Sequence, residues 1–168
     1  MQRDADPFDP NPILEALAAG GVDFVVVGGL AGGAHGSAFA TFDADVAYAR
    51  DAENLERLAT VLTSLGARLR GAPADVPFLL DAQTLAQGAN FTFETSLGPL
   101  DILGDAAGGP SYERLRKDAM SIEVGAQTVR VASLDHLIAM KEAAGRPKDK
   151  SMAAEYRLLA DELRRREP

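Results

Sequence analysis

The feature that most constrains the fold of this sequence is a short apolar run that ends in two glycines. Residues 22–27 (VDFVVV) are mostly β-branched and too few for a buried helix, so they predict a central strand that is covered on both faces. Gly28 and Gly29 follow at once, and the chain continues into Leu30 and Ala31. This order predicts a turn from a strand directly into a helix, with backbone amides exposed at the turn.

Helical and strand patterns alternate along most of the remaining chain. The predicted helices are residues 12–19, 53–65, 111–117, 134–144 and about 149–165. The predicted strands are residues 43–49 and two hairpins, 90–95 with 99–103 and 120–124 with 128–131. The predicted N-caps are Asn11, Asp51 and Ser133. Residues 67–89 show no clear period, and only short strands near residues 78–80 are predicted there.

The 168 residues are enough for one domain, and we expect a flexible N-terminal segment (residues 1–11) followed by a single domain (residues 12–168). The absence of cysteine excludes disulfide bonds, thiolate metal sites and cysteine nucleophiles. The acidic, proline-rich start is unlike a signal peptide, and no apolar run has the roughly 18–20 residues that a membrane span needs. We therefore expect a cytoplasmic protein without a membrane partner.

The net charge of −8 argues against a broad nucleic-acid surface, because such surfaces are usually basic. Duplex DNA is therefore an unfavourable partner. The cations are concentrated in the C-terminal third, where nine basic residues from Arg130 onward face seven acidic ones. If an anion binds, this part of the chain is expected to supply the positive charges.

Three aspartates on two predicted strands carry the strongest chemical signal. Asp43 and Asp45 are two residues apart on one strand, so both side chains point to the same face. Asp101 lies between Leu100 and Ile102 and points away from the core if these two residues face it. Convergent carboxylates suit Mg²⁺, which prefers oxygen ligands, and amides at a nearby glycine turn suit a phosphate.

Three segments follow one another in a specific order. Val27-Gly28-Gly29 is followed after thirteen residues by Asp43-Ala44-Asp45-Val46, and later by Leu100-Asp101-Ile102. This combination resembles the signature of the DNA polymerase β-type nucleotidyltransferase superfamily. Residues 135–149 (DHLIAMKEAAGRPKD) resemble a Lys…Arg…Lys-Asp segment of small bacterial nucleotidyltransferase-like proteins related to AbiEii toxins. The resemblance covers about residues 13–160.

The resemblance implies a fold, a reaction and a role for each site residue. The implied fold is an α/β (α+β) nucleotidyltransferase fold, with a mixed sheet of about five strands and helices packed on one side. The implied reaction is transfer of a nucleoside monophosphate from an NTP to a hydroxyl group, with Mg²⁺ or Mn²⁺ as cofactor and release of pyrophosphate. Asp43, Asp45 and Asp101 would hold the metal ions, and Asp101 would also accept the proton of the hydroxyl. The residues implied to contact the phosphates are Gly28, Gly29, Lys141, Arg146 and Lys148.

The sequence departs from the family pattern at two positions. Gly29 stands where many relatives have serine, and Phe39 stands where they have arginine, which predicts a weaker hold on the phosphates. This leaves an alternative open, in which a catalytically weakened domain binds a nucleotide or a protein partner, for example as one half of a toxin–antitoxin pair. The acceptor also stays open between a small molecule, a protein side chain and RNA, and the acidic charge disfavours tRNA. His35 and His136 are expected on helix surfaces.

Overall fold

The computed structural model describes residues 7–105 and 108–168, where seven helices and seven strands follow the order expected for a mixed α/β chain. The helices are α1 (Asn11–Ala19), α2 (Gly28–Ala34), α3 (Ala52–Ser64), α4 (Ala82–Gln87), α5 (Tyr112–Asp118), α6 (Leu134–Ala144) and α7 (Pro147–Arg166). The strands are β1 (Phe24–Val27), β2 (Ala44–Tyr48), β3 (Arg68–Leu69), β4 (Asn90–Thr95), β5 (Gly98–Leu103), β6 (Met120–Val124) and β7 (Gln127–Val131).

All seven strands belong to one mixed sheet, in the order β3-β4-β5-β2-β1-β7-β6. The central strand β1 pairs antiparallel with β2 and parallel with β7, and β2 pairs parallel with β5. The predicted α/β class and mixed sheet are confirmed, with seven strands instead of about five. The prediction missed β3, which has only two residues and therefore no sequence period to recognise.

The two faces of the sheet differ in chemistry. Val26, Val46, Ile102 and Phe93 lie on the apolar face, where α1 packs against β6, β7 and α3. The opposite face carries Asp45 and Asp101, because side chains alternate along a strand. Helices lie on both faces and not on one side as predicted, since Leu115 of α5 lies beside Ala47 and Leu103 on the carboxylate face. The physical reason for a helix on this face is burial of apolar surface, since Leu115 is buried there.

Most local predictions are confirmed, including both hairpins and the N-caps Asp51 and Ser133. The N-cap prediction for Asn11 is wrong, because Asn11 is already helical and its amide donates to Asp9 Oδ1 at 3.0 Å. Residues 1–6 of the expected flexible segment lie outside the described residues. The final helix begins at Pro147, two residues earlier than predicted.

The short strands predicted near residues 78–80 are absent from this part of the chain, which is an irregular loop. The loop contributes an aromatic contact instead of a strand. The ring centroid of Phe78 lies 6.4 Å from that of Phe91 and 6.3 Å from that of Phe93. His136 was predicted on the surface and is in fact buried, with Nε2 3.3 Å from Asp118 Oδ2. Among the described residues, no helix is both long and apolar enough to cross a membrane.

Candidate active site

The three aspartates that stood out in the sequence meet at one end of the β2–β5 strand pair. Asp45 is paired directly with Asp101 in the parallel register of β2 and β5, and Asp43 immediately precedes β2. One carboxylate oxygen of each residue lies within 4.8 Å of the others. All three side chains are half-buried. The register of two strands therefore places three negative charges within the size of one metal shell.

Burial and neighbouring negative charge raise the pKa values of Asp45 and Asp101. The pKa of Asp45 is raised from 3.8 to about 7, first by burial and then by the negative charges of Asp43 and Asp101, while Lys141 opposes the shift. The pKa of Asp101 is also raised, first by burial, and the charge of Arg70 opposes this. The cluster therefore carries more negative charge than the protein around it neutralises.

The oxygen atoms of this cluster fit a divalent metal ion. Asp101 Oδ1 is buried, and no described residue donates a hydrogen bond to it. Arg70 is paired with this oxygen at 2.9 Å, but one guanidinium does not balance three crowded carboxylates, and a bound cation would supply the missing positive charge. The ligand set contains only carboxylate oxygens, which suits Mg²⁺ or Mn²⁺.

Arg70 is a site residue that the sequence analysis missed. It follows β3, and its Nη2 lies 2.9 Å from Asp101 Oδ1 in an ion pair that does not have the direction of a hydrogen bond. Its Nε donates to Glu94 Oε1 at 3.0 Å, and its Nη2 donates to the Phe93 carbonyl at 2.9 Å. Arg70 is thus held by β4 while its charge faces Asp101. Its position in the unreadable stretch 67–89 gave no local signal of this role.

The glycine turn lies directly against the carboxylate cluster. Gly28 opens α2 with φ +66°, and a Cβ atom at this position would collide with the Asp45 carboxylate. Both the backbone conformation and the space therefore require glycine. A Cβ at Gly29 would lie 3.4 Å from Thr41, which is an ordinary contact. Only the first glycine is required by the geometry.

Lys141, Arg146 and Asp149 form an ion network at the junction of α6 and α7. Asp149 is buried, and its carboxylate accepts from Arg146 Nε at 2.7 Å and lies 3.4 Å from Lys141 Nζ. The hydrogen bond from Arg146 is the main cause that lowers the pKa of Asp149, and Lys141 adds to it. Asp149 also accepts from the backbone amide of Arg146, which completes the start of α7. One buried carboxylate thus positions two cations.

A cavity of about 460 Å³ lies between this network and Asp45, and we call it the carboxylate cavity. Its lining includes Gly28, Asp45, Asn90, Lys141 and Arg146. Lys148 is exposed and is not among the lining residues, so the structure does not bring it to the site with the other predicted cations. Asn90, which the sequence analysis did not select, also lines the cavity, and its Oδ1 accepts from the amide of Gly104.

Phe39 and His35 lie near the glycine turn but outside this cavity. Phe39 borders a separate small cavity of about 180 Å³ together with Gly29 and Thr41. The position where relatives carry arginine is therefore apolar here. His35 is half-buried, and its Nε2 lies 2.8 Å from the carbonyl of Ala132, which ties α2 to the end of β7. This contact gives His35 a structural role.

Comparisons with known proteins give structural neighbours only. No protein-family model matches the sequence, and no curated protein is significantly similar to it. Among solved structures, the chain is similar to ANT(2″)-Ia, an aminoglycoside nucleotidyltransferase, in its complex with adenylyl-2″-tobramycin. The TM-score is 0.55 at 17% identity, and the match covers 90% of this chain and 85% of that one.

Two further structures agree with this likeness. The solution structure of the antibiotic-resistance factor ANT(2″)-Ia matches with a TM-score of 0.54 at 17% identity, covering 90% of this chain and 80% of that one. An antigenic nucleotidyltransferase-like protein from Paracoccidioides brasiliensis matches with a TM-score of 0.51 at 14% identity, covering 89% and 72%. With its seven-stranded mixed sheet, the chain therefore has the nucleotidyltransferase fold.

Proposed function

We propose that this chain is a nucleotidyltransferase that depends on a divalent metal ion and transfers a nucleoside monophosphate from an NTP to a hydroxyl group. The observation that carries the proposal is the cluster of Asp43, Asp45 and Asp101, whose oxygens lie within 4.8 Å of one another on this fold. In the reaction, the hydroxyl oxygen forms a bond to the α-phosphorus, and the bond from that phosphorus to pyrophosphate breaks. The proton of the hydroxyl leaves to a base.

The strand wall of the cavity, where Asp45 lies with Asp43 and Asp101 beside it, would hold the metal ions. Asp43 and Asp45 would hold one metal ion for the NTP phosphates, and together with Asp101 they would hold a second one. Mg²⁺ or Mn²⁺ supplies charge neutralisation at the phosphoryl oxygens and lowers the pKa of the bound hydroxyl. Asp101 is the proposed proton acceptor, because the family resemblance implies that role and its carboxylate is held by Arg70.

The helix wall of the cavity, formed by Lys141, Arg146 and Asp149, would bind the triphosphate together with the glycine turn. Lys141 is the proposed counter-charge of the phosphates, since it lines the same cavity as Asp45 and is aimed by Asp149. Arg146 has a weaker claim, because its side chain is 75% exposed. Gly28 and Gly29 open α2, and their backbone amides have no acceptor within the helix. These amides supplement the cations at the phosphates.

A second candidate is a domain that binds nucleotide or a protein partner without turnover. The observation that favours it is the apolar surrounding of Phe39, which leaves this corner of the turn without a guanidinium. A relationship to AbiEii-like proteins and a role in a toxin–antitoxin pair are consistent with either candidate. They stay predictions of the sequence analysis, as does a cytoplasmic location.

The experiment that tests the proposal is thermal unfolding with each of the four NTPs, with and without Mg²⁺. A ligand at 100 times its Kd adds about 2.7 kcal/mol to the free energy of unfolding. At about 2–4 °C per kcal/mol for a chain of this size, the unfolding temperature should rise by roughly 5–10 °C. We expect this rise to require Mg²⁺ and to disappear in the Asp43→Asn/Asp45→Asn double variant.

A matched control keeps the interpretation specific. Asp105 lines the same cavity but is not part of the carboxylate cluster, so Asp105→Asn should keep the Mg²⁺-dependent rise. An unchanged unfolding temperature with every NTP would rule out the transferase. If the unfolding temperature still rises in the double variant, Asp43 and Asp45 are not needed for binding of Mg²⁺ and NTP. A Mg²⁺-dependent rise without pyrophosphate release, for any acceptor tried, would favour the binding domain.

A further inference from the structure

A second cavity with a different charge lies on the carboxylate face of the sheet. It has a volume of about 590 Å³ and lies at the edge of the sheet where β1 begins and β2 ends. Its positively charged lining residues are Arg50, Arg116, Lys117 and Arg130. We call it the basic cavity. The same lining has three carboxylates, Asp23, Asp51 and Glu113, so its net charge is +1 in a chain whose net charge is −8.

Three of these cations have no ion-pair partner within the described residues. The guanidinium of Arg50 already donates hydrogen bonds to the carbonyls of Ala86 and Gly88 at the end of α4. Among the residues that the structure describes, Arg116, Lys117 and Arg130 form no ion pair. Their charges are therefore available to a ligand.

The carboxylates in the basic cavity are mostly engaged elsewhere. Asp23 lies 3.7 Å from Arg57, and Asp51 accepts from the amide of Asn54 at 3.0 Å as the N-cap of α3. Glu113 is exposed in the first turn of α5. The cavity therefore has a surplus of free positive charge, which favours an anionic ligand.

A buried hydroxyl also points to a polar ligand at this place. Tyr112 lines the basic cavity, and its hydroxyl oxygen is buried without a hydrogen-bond partner among the described residues. Burial is the main cause that raises the pKa of Tyr112, so the phenol stays neutral and able to donate. An unsatisfied buried hydroxyl beside free guanidinium groups is suited to an oxygen-rich anion such as a phosphate.

A further cavity lies between the basic cavity and the carboxylate cavity. This third cavity, of about 330 Å³, shares Leu103 with the carboxylate cavity and Arg50 and Tyr112 with the basic one. The sheet register gives the distance, because Arg130 is paired with Val25, two residues before Val27, and Val27 is paired with Asp45. At about 3.3 Å per residue and about 4.8 Å per strand, the Cα atoms of Arg130 and Asp45 lie ~12 Å apart on one face. A single phosphorylated sugar or nucleoside spans such a distance.

We propose that the hydroxyl acceptor is a phosphorylated compound and that Arg116, Arg130 and Tyr112 bind its phosphate in the basic cavity. The acceptor hydroxyl would then lie at the carboxylates and its phosphate in the basic cavity. This inference rests on the proposed function, since it names the class of the second substrate. It adds a site on the sheet face that is separate from the residues assigned to the NTP.

The test measures binding of a phosphate group at the basic cavity by NMR, independently of turnover. The probes are ribose 5-phosphate, glycerol 3-phosphate and their unphosphorylated forms, added to ¹⁵N-labelled protein. The side-chain Nε–Hε signals of Arg116 and Arg130 report binding. We expect both phosphorylated probes to shift these signals and the unphosphorylated ones to leave them in place.

Matched variants distinguish a specific phosphate site from a general effect of positive charge. Arg116→Glu and Arg130→Gln should each weaken the Kd by about tenfold or more, since a hydrogen bond to a charged group contributes about 1.5–3 kcal/mol. Arg114→Glu is the matched control, because Arg114 is exposed on α5 and does not line the cavity. An equal loss in Arg114→Glu and Arg116→Glu, or equal binding of ribose and ribose 5-phosphate, would overturn the inference.

The Asp43→Asn/Asp45→Asn variant distinguishes this inference from the proposed function. We expect it to lose Mg²⁺-dependent NTP binding and to keep phosphate binding at Arg116. If the wild type binds NTP with Mg²⁺ while the arginine signals respond to neither phosphorylated probe, the inference fails and the proposed function stands. If the wild type binds no NTP, the proposed function fails, and the acceptor assignment fails with it even where the phosphate still binds.

Discussion

The two walls of the carboxylate cavity differ in how far their charged side chains are neutralised by their neighbours. On the strand wall, Asp45 lines the cavity with Asp43 and Asp101 crowded beside it, and Arg70 is the cation in ion-pair contact with this cluster among the described residues. On the helix wall, the buried Asp149 lies between Lys141 and Arg146. The pKa of Asp45 is raised by burial and its neighbours, whereas the pKa of Asp149 is lowered chiefly by Arg146.

The difference shows which wall needs a ligand to complete its charge balance. The helix wall is satisfied by its own residues, so its cations are held in place before anything binds. The strand wall keeps unneutralised negative charge, which is destabilising until a cation arrives. A site with one complete wall and one incomplete wall is suited to binding a metal and a triphosphate together.

The largest effect that sharpens this comparison is expected from Arg70. Arg70→Gln removes the cation that faces Asp101 and leaves this carboxylate free to turn. Because residues that orient metal ligands typically contribute 10–100-fold to activity, we expect kcat to fall by about that factor. The KM for NTP should change little, because Asp43, Asp45 and Lys141 are untouched. Steady-state kinetics with varied NTP measures both quantities.

The control for Arg70 is its other partner. Glu94 holds Arg70 at 3.0 Å but is not part of the carboxylate cluster, so Glu94→Gln should lower kcat by a smaller factor. Manganese binding followed by electron paramagnetic resonance adds a readout apart from turnover, and Arg70→Gln should alter the affinity of one of two ions. If kcat is unchanged, Arg70 does not position Asp101.

The strand wall shows what the sequence analysis can predict. Local spacing predicted that Asp43 and Asp45 face the same way, and their oxygens do meet, although Asp43 immediately precedes β2. Asp101 joins them because β2 and β5 are neighbours, which the spacing alone does not reveal and the family resemblance implied. Arg70 has no such signal, since it follows a two-residue strand and meets Asp101 only through the packing of β4 against β5.

The next effect concerns the helix wall. Asp149→Asn removes the shared negative charge of Lys141 and Arg146, and we expect the KM for NTP to rise by about tenfold because Lys141 is no longer held toward the cavity. The free energy of unfolding should fall by about 1–2 kcal/mol and not more, since both cations have access to water. Kinetics and thermal unfolding measure the two changes.

The pH dependence of this effect has a definite sign. The pKa of Asp149 is lowered in the folded protein, so its stabilising contribution is present above the ordinary carboxyl pKa and is lost as the pH falls through the folded value. The stabilities of wild type and Asp149→Asn should therefore converge in acid. A constant difference at every pH would mean that packing, not charge, accounts for the effect. Such a network is invisible in sequence, because the Asp149 side chain could equally point to solvent from the first turn of α7.

The smallest effect is expected on the strand wall in protein freed of metal by EDTA, and it has the opposite sign. The pKa of Asp45 is raised from 3.8 to about 7, so the folded protein binds more protons than the unfolded chain between these values. Stability is therefore greatest in acid with respect to this group and falls as the pH rises toward 7. A shift of about three pKa units corresponds to roughly 4 kcal/mol at pH 8. The buried asparagine amide offsets most of this, so Asp45→Asn should be more stable than the wild type at pH 8 by about 1 kcal/mol, or roughly 2–4 °C.

Magnesium turns this last prediction into a test of the comparison itself. A metal ion binds the ionised carboxylate, so saturating Mg²⁺ should raise the unfolding temperature of the wild type at pH 8 and leave that of Asp45→Asn nearly unchanged. The order of the two proteins should then reverse. Asp149→Asn should keep the wild-type response to Mg²⁺, because the helix wall is not part of the carboxylate cluster. If Mg²⁺ stabilises wild type and Asp45→Asn equally, the strand wall does not hold the ion, and its surplus charge needs another explanation than an incomplete metal site.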